Sequence, residues 1–249
     1  MITIKAILCS DMGLVRQNNE DMILLNGELY RDESLTTEFN IDDNSRFTAI
    51  VADGMGGHEG GEFASELATQ AFDEHLSSLP ANLSSQQVIE QTKQWAVKTH
   101  DMINQKGIEL PQYMGMGTTF VGMFSYEGKV FSINIGDSRL YRYRETILKQ
   151  ISQDHSMRNL TGDMTQKSNL IYNSLGAGES VFADVEDMSD KILPDDQYII
   201  CSDGLSDMLS DDEIDSILDN GGLTPELIDA AKRAGGKDNV SVISLHFLP

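Results

Sequence analysis

Cysteine is scarce in this sequence. There are two in 249 residues, Cys9 and Cys201, each within an apolar stretch that reads as a buried strand. Two cysteines form no disulfide framework for a chain of this size, and no Cys-x-x-Cys pair or Cys/His spacing suggests zinc. Basic residues are few as well: 18 lysines and arginines stand against 40 acidic side chains, a formal net charge of −22. Nucleic-acid binding and docking on an anionic membrane both need clustered cations, so both are disfavoured. No apolar run reaches the ~18 residues of a membrane-spanning helix. The opening segment carries Lys5 and is too short for a signal-peptide core with its cleavage site. A soluble, cytoplasmic protein is expected, its acidity mostly solvated surface charge.

Apolar residues make up 40% of the chain, enough for a sizeable core, and the length suits one generous domain. Runs at 2–8, 47–52, 118–125, 129–135, 139–143, 198–201 and 240–247 read as strands. Phe63, Ala64, Leu67, Ala68, Ala71, Phe72 and Leu76 recur at helical spacing, which predicts an amphipathic helix over 60–79. Ser84 is the N-cap expected for a second helix, and a short connection containing Pro80 makes the two an antiparallel pair. Further helices are expected at 210–218 and 224–234, the latter with Thr224 as N-cap and Pro225 in its first position. Residues 26–46 are polar and acidic and read as a solvated surface loop. No repeat or linker breaks the pattern. Its order suggests a single α+β domain with antiparallel sheets.

Four aspartates stand beside glycine or at the edge of an apolar strand, far apart in sequence: Asp53, Asp137, Asp203 and Asp238. Singly, each is a turn signal. Brought together, they would repel one another and raise their pKa values unless cations neutralised them. Oxygen-only ligands select hard ions such as Mg²⁺ or Mn²⁺.

Seven stretches then occur in a familiar order. They are Ser10-Asp-Met-Gly13-Leu-Val-Arg16-Gln-Asn-Asn19-Glu20-Asp21, Val51-Ala-Asp53-Gly-Met-Gly-Gly57-His58, Met116-Gly-Thr-Thr119, Asn134-Ile-Gly136-Asp137-Ser-Arg139, Asp154-His155-Ser156, Cys201-Ser-Asp203-Gly204-Leu205 and Asp238-Asn239-Val240. The chain resembles the PP2C-like, metal-dependent protein serine/threonine phosphatases, in particular their bacterial branch. That resemblance implies a sandwich of two antiparallel β-sheets flanked by helix pairs, one phosphatase domain over 1–249. It implies two tightly bound Mn²⁺ or Mg²⁺ ions and a weaker third. Asp53 matches the aspartate that bridges two metals, and the Gly54 carbonyl matches a further ligand. Asp203 and Asp238 match the positions completing one metal's shell, and Asp137 matches a third-metal position. Glu20 and Asp21 match acidic positions that orient metal-bound waters, and Arg16 matches the arginine that grips the substrate phosphate. The implied partners are phosphorylated proteins and a cognate serine/threonine kinase, with the enzyme a monomer. The alternative is a catalytically silent phosphoprotein-binding module on the same fold.

Three features qualify the resemblance. Met55 occupies the place of a histidine in many eukaryotic relatives, and a thioether donates no proton, which leaves metal-bound water or His58 to protonate the leaving group; His155 reads as structural. The segment around 156–175 looks like a shortened flap. The acidic stretch at 26–46 is the third.

Overall fold

The computed structural model describes residues 2–42, 46–56, 60–162 and 170–249. Strands β1 (Ile2–Asp11), β2 (Met22–Leu25), β3 (Glu28–Tyr30), β4 (Ser34–Ile41), β5 (Thr48–Ala52) and β6 (Gly54–Met55) precede two long helices, α1 (Gly60–Ser78) and α2 (Ser85–Glu109). Next come β7 (Gly117–Thr118), β8 (Phe120–Tyr126), β9 (Lys129–Ile135), β10 (Arg139–Arg144), β11 (Ile147–Gln150), the short α3 (Met157–Thr161), β12 (Asp184–Asp187) and β13 (Gln197–Cys201). Helices α4 (Asp203–Ser206), α5 (Asp211–Asp219) and α6 (Thr224–Arg233) lead to the last strand, β14 (Val240–Phe247). Two six-stranded sheets result, in the orders β11-β10-β13-β14-β1-β4 and β12-β9-β8-β5-β2-β3, beside a small β6-β7 pair. Neighbouring strands run antiparallel in both sheets, as in the pairings of β1 with β14 and of β8 with β9.

The period of two along each strand sorts side chains into layers. Ile4, Ala6 and Leu8 of β1 turn inward to meet Ile23, Val51 and Val121 of the facing sheet. Cys9 turns outward, into a cluster with Leu205, Ile214 and Leu227 of the C-terminal helices. On the far side, Phe120, Phe124 and Phe131 pack under α1 and α2. The order is helices, sheet, sheet, helices, the α+β sandwich expected. Among the described residues, no helix is long and apolar enough to cross a membrane.

Phe72 of α1 is fully buried, its ring edge-on to Trp95, Phe120 and Phe124 at 4.8, 5.1 and 5.3 Å between centroids. Phe72→Ala removes all three contacts and leaves a cavity. The expected loss is about 3–5 kcal/mol of unfolding free energy, read as a lower urea midpoint.

Ser84 caps α2 as expected: its side chain accepts the Gln87 N–H, and the Gln87 side chain returns the bond. Two expectations need correction. Residues 28–30 and 34–41 are strands, not a surface loop. In β4 the inward positions Leu35, Thr37, Phe39 and Ile41 alternate with exposed Ser34, Thr36, Glu38 and Asn40, as suits an edge strand wet on one face. Thr224 is not the cap of α6 but its first residue. Its hydroxyl turns into the core toward the Ile7 carbonyl and Ser244 Oγ, while the Glu226 carboxylate receives the Leu223 N–H that opens the helix.

Candidate active site

One end of the sandwich carries a cavity of about 250 Å³. Both sheets contribute to it. Asp53 follows β5 and Asp137 follows β9, in one sheet; Asp203 follows β13 and Asp238 stands just before β14, in the other. All four line the cavity, with Arg16, Glu20, Gly54, Met55, Thr119 and Ile171. Asp21 does not. It is buried behind the wall, where Oδ2 accepts the Ser202 hydroxyl at 2.8 Å and Oδ1 has no donor.

Close backbone contacts hold this end together. Gly54 packs so tightly on α1 that a Cβ would stand 2.1 Å from the Gly61 carbonyl oxygen. Gly13 has φ +81°, and a Cβ there would meet the Asp238 carbonyl oxygen at 2.2 Å. The Asp53 turn is pinned by the two threonines of the Met116–Thr119 stretch. Thr119 Oγ1 receives the Asp53 N–H at 3.0 Å, and Thr118 Oγ1 donates to the Asp53 carbonyl at 2.9 Å. Thr119 also meets Ser138 Oγ at 2.7 Å, which ties the Asp53 turn to the Asp137 turn.

Asn239 had a place in a motif but no role assigned from sequence. Its Nδ2 donates to the carbonyls of Met12 and Asn18, and its Oδ1 receives the Glu20 N–H, all at 2.9 Å. It thereby staples the loop carrying Arg16 and Glu20 beside Asp238. The only sequence signal was adjacency to an aspartate. His155 stays out of the cavity and is structural, as read: its N–H and Nδ1 bind the carbonyl and N–H of Gly136. His58 lies outside the described residues.

The electrostatics follow from crowding. Burial, then the charges of Asp203 and Asp21, push the Asp53 carboxyl well above the usual range. Burial and Asp203 raise Asp137 to about 8; burial and Asp238 raise Asp203 to about 6. Arg16 is the cation that answers them, its Nη2 2.6 Å from Asp238 Oδ2 and its Nη1 3.8 Å from Glu20 Oε2. Among the described residues no three acidic, histidine or cysteine side chains already close on a common point, so the carboxylates ring the cavity. The donor set nonetheless fits hard divalent cations: it is all oxygen and its carboxylates repel one another.

These shifts set a pH dependence. A carboxylate whose folded pKa is raised leaves the fold fully stable below its unfolded pKa, and that contribution is lost as pH rises through the folded value. Cation-free protein should therefore lose thermal stability between about pH 4 and the values near 6 and 8 of Asp203 and Asp137. Mn²⁺ should raise Tm more at about pH 8 than at about pH 5, as scanning calorimetry would read.

A family model described as Protein phosphatase 2C matches residues 24–238. The serine/threonine phosphatase stp of Listeria monocytogenes is 29% identical, over 94% of this chain and 92% of its own. Protein phosphatase PhpP of Streptococcus pneumoniae is also 29% identical, over 94% of both chains. Among solved structures, the catalytic domain of the serine/threonine protein phosphatase PstP, in complex with two manganese ions, superposes at a TM-score of 0.73. That pair is 26% identical and matched over the whole of both chains. With its motifs in order from end to end and its carboxylates gathered where two sheets meet, the chain belongs to the protein phosphatase 2C family.

Proposed function

We propose that this chain is a divalent-cation-dependent phosphatase acting on phosphoserine and phosphothreonine in proteins, in opposition to a serine/threonine kinase in the cytoplasm. The whole chain acts as one phosphatase domain; of the shortened flap segment expected around 156–175, residues 163–169 lie outside the described residues. The observation that carries this reading is four aspartates from two sheets facing one cavity, with Arg16 on its wall. A silent phosphoprotein-binding module has no use for so costly a concentration of buried and half-buried carboxylates.

Asp53, the Gly54 carbonyl, Asp203 and Asp238 would hold two Mn²⁺ or Mg²⁺ ions, and Asp137 would help hold a weaker third. Bound there, divalent cations supply Lewis acidity: they acidify water and offset phosphoryl charge. The rest falls to the chain. Arg16 presents two parallel N–H donors to phosphoryl oxygens and fixes the phosphorus in line with the attacking water. Glu20 faces the same space and can accept a proton from water held there. Asp21, deeper, reaches the site by its field on Asp53 and Asp203. Met55 cannot protonate the leaving serine or threonine oxygen.

The test is hydrolysis of an aryl phosphate and of a phosphothreonine peptide, with Mn²⁺ and after chelation. Turnover of both that vanishes on chelation is expected. Stoichiometric phosphopeptide binding without turnover would establish the silent module instead.

A further inference from the structure

A second cavity, of about 280 Å³, opens between the two sheets at the β12 edge and shares no lining residue with the first. In the pairing of β9 with β12, Asn134 stands opposite Asp184 and Ser132 opposite Glu186, so these four side chains share one face. All four line the cavity, and Leu140 and Ile151 supply apolar wall. Asn134 is 4% exposed. Its Nδ2 donates to the Gln153 carbonyl at 2.8 Å, which fixes the amide orientation and leaves Oδ1 with no donor. A buried acceptor without a partner is destabilising, so a ligand that brings a donor removes that cost.

We propose that this cavity is a ligand site for a primary ammonium or guanidinium group on a short methylene chain. The open acceptors of its lining are the Asn134 amide oxygen and the Asp184 carboxylate; Glu186 adds a second carboxylate, already paired with the Lys191 ammonium, and Lys93 is the one ammonium among the lining residues. The methylenes lie along Leu140 and Ile151, and a cavity of this size takes a ligand smaller than a typical drug.

The site is wired to the first cavity. Asp184 Oδ2 accepts His155 Nε2 at 3.0 Å. His155 Nδ1 is already taken by the N–H of Gly136 at 3.1 Å and by Asn173 Nδ2 at 2.8 Å, so the ring proton sits on Nε2. Gly136 immediately precedes Asp137 and has φ +108°, a conformation held from both sides by His155 and Thr119. A cation that draws on Asp184 weakens its hold on His155, and the turn bearing Asp137 feels it.

Agmatine and N-acetyl-arginine methylamide are titrated calorimetrically against the whole protein at physiological salt. One saturable site is expected, weakened at least tenfold in the Asp184→Asn, Glu186→Gln double variant, which keeps an oxygen acceptor for His155. Tight binding of agmatine alone marks a free amine as the ligand; equal binding of the capped arginine marks a side chain of a protein. Unsaturable heat, or equal affinity in the double variant, overturns the site. A kcat on aryl phosphate that is unchanged with the cavity filled overturns the connection through His155. That kinetic half rests on the phosphatase reading and the calorimetric half does not, so failure of one is distinguishable from failure of the other.

Discussion

Asp53→Asn and Asp203→Asn are each expected to reduce Mn²⁺-dependent hydrolysis to background and to raise the thermal stability of the cation-free protein near pH 8. The two effects have one origin. These carboxylates are crowded against Asp137, Asp238 and each other, and burial raises the cost of their charge. An amide of the same shape carries no charge, so the repulsion falls and the fold gains. The same lost charge removes the affinity for a hard cation, which depends on anionic oxygen. Calorimetric Mn²⁺ titration and a Tm measurement on each variant check both. A variant that turned over normally at saturating Mn²⁺ would remove its residue from the site, and one with lowered Tm would mean its carboxylate was structural.

Arg16→Ala has the next largest effect. Loss of a preorganised donor pair on the phosphoryl group is expected to cost about 3 kcal/mol in kcat/KM, on the order of a hundredfold. The same side chain holds Asp238 at 2.6 Å, so the variant frees a carboxylate and should bind Mn²⁺ at least as tightly as the parent. Arg16→Lys restores the charge but not the planar fork, and should recover only part of the loss. Weakened Mn²⁺ binding with unaltered kinetics at saturation would place Arg16 among the structural ion pairs.

Most of this site was legible because its aspartates sit where an apolar run meets a glycine, a local pattern. Asp53 follows directly on the Ile50–Ala52 run and Asp203 comes one residue after the Tyr198–Cys201 run, and the sheets then bring them together. What the sequence hid was tertiary. Asn239 reaches back across more than two hundred residues to three backbone groups of the Arg16 loop, and no spacing rule encodes such bonds. The depth of Asp21 was hidden too, because it depends on Ser202 arriving from another strand. In β4 the acidic outer positions masked a clean inward alternation, and pairing with β1 decides the matter in favour of a strand. Arg31 lay unnoticed in that stretch, yet its guanidinium joins the Asp21 carbonyl to Glu62 of α1 and braces the site from behind.

The division of the four aspartates between two sheets would make cations held there an assembly sensor as well as a reagent. Neither sheet alone carries more than two of them, so an intermediate with one sheet formed offers no competent site. Mn²⁺ would then act like a rivet set after the plates are aligned, slowing their separation without hastening their approach. Its stabilisation would appear in the unfolding limb of a chevron and leave the folding limb unmoved.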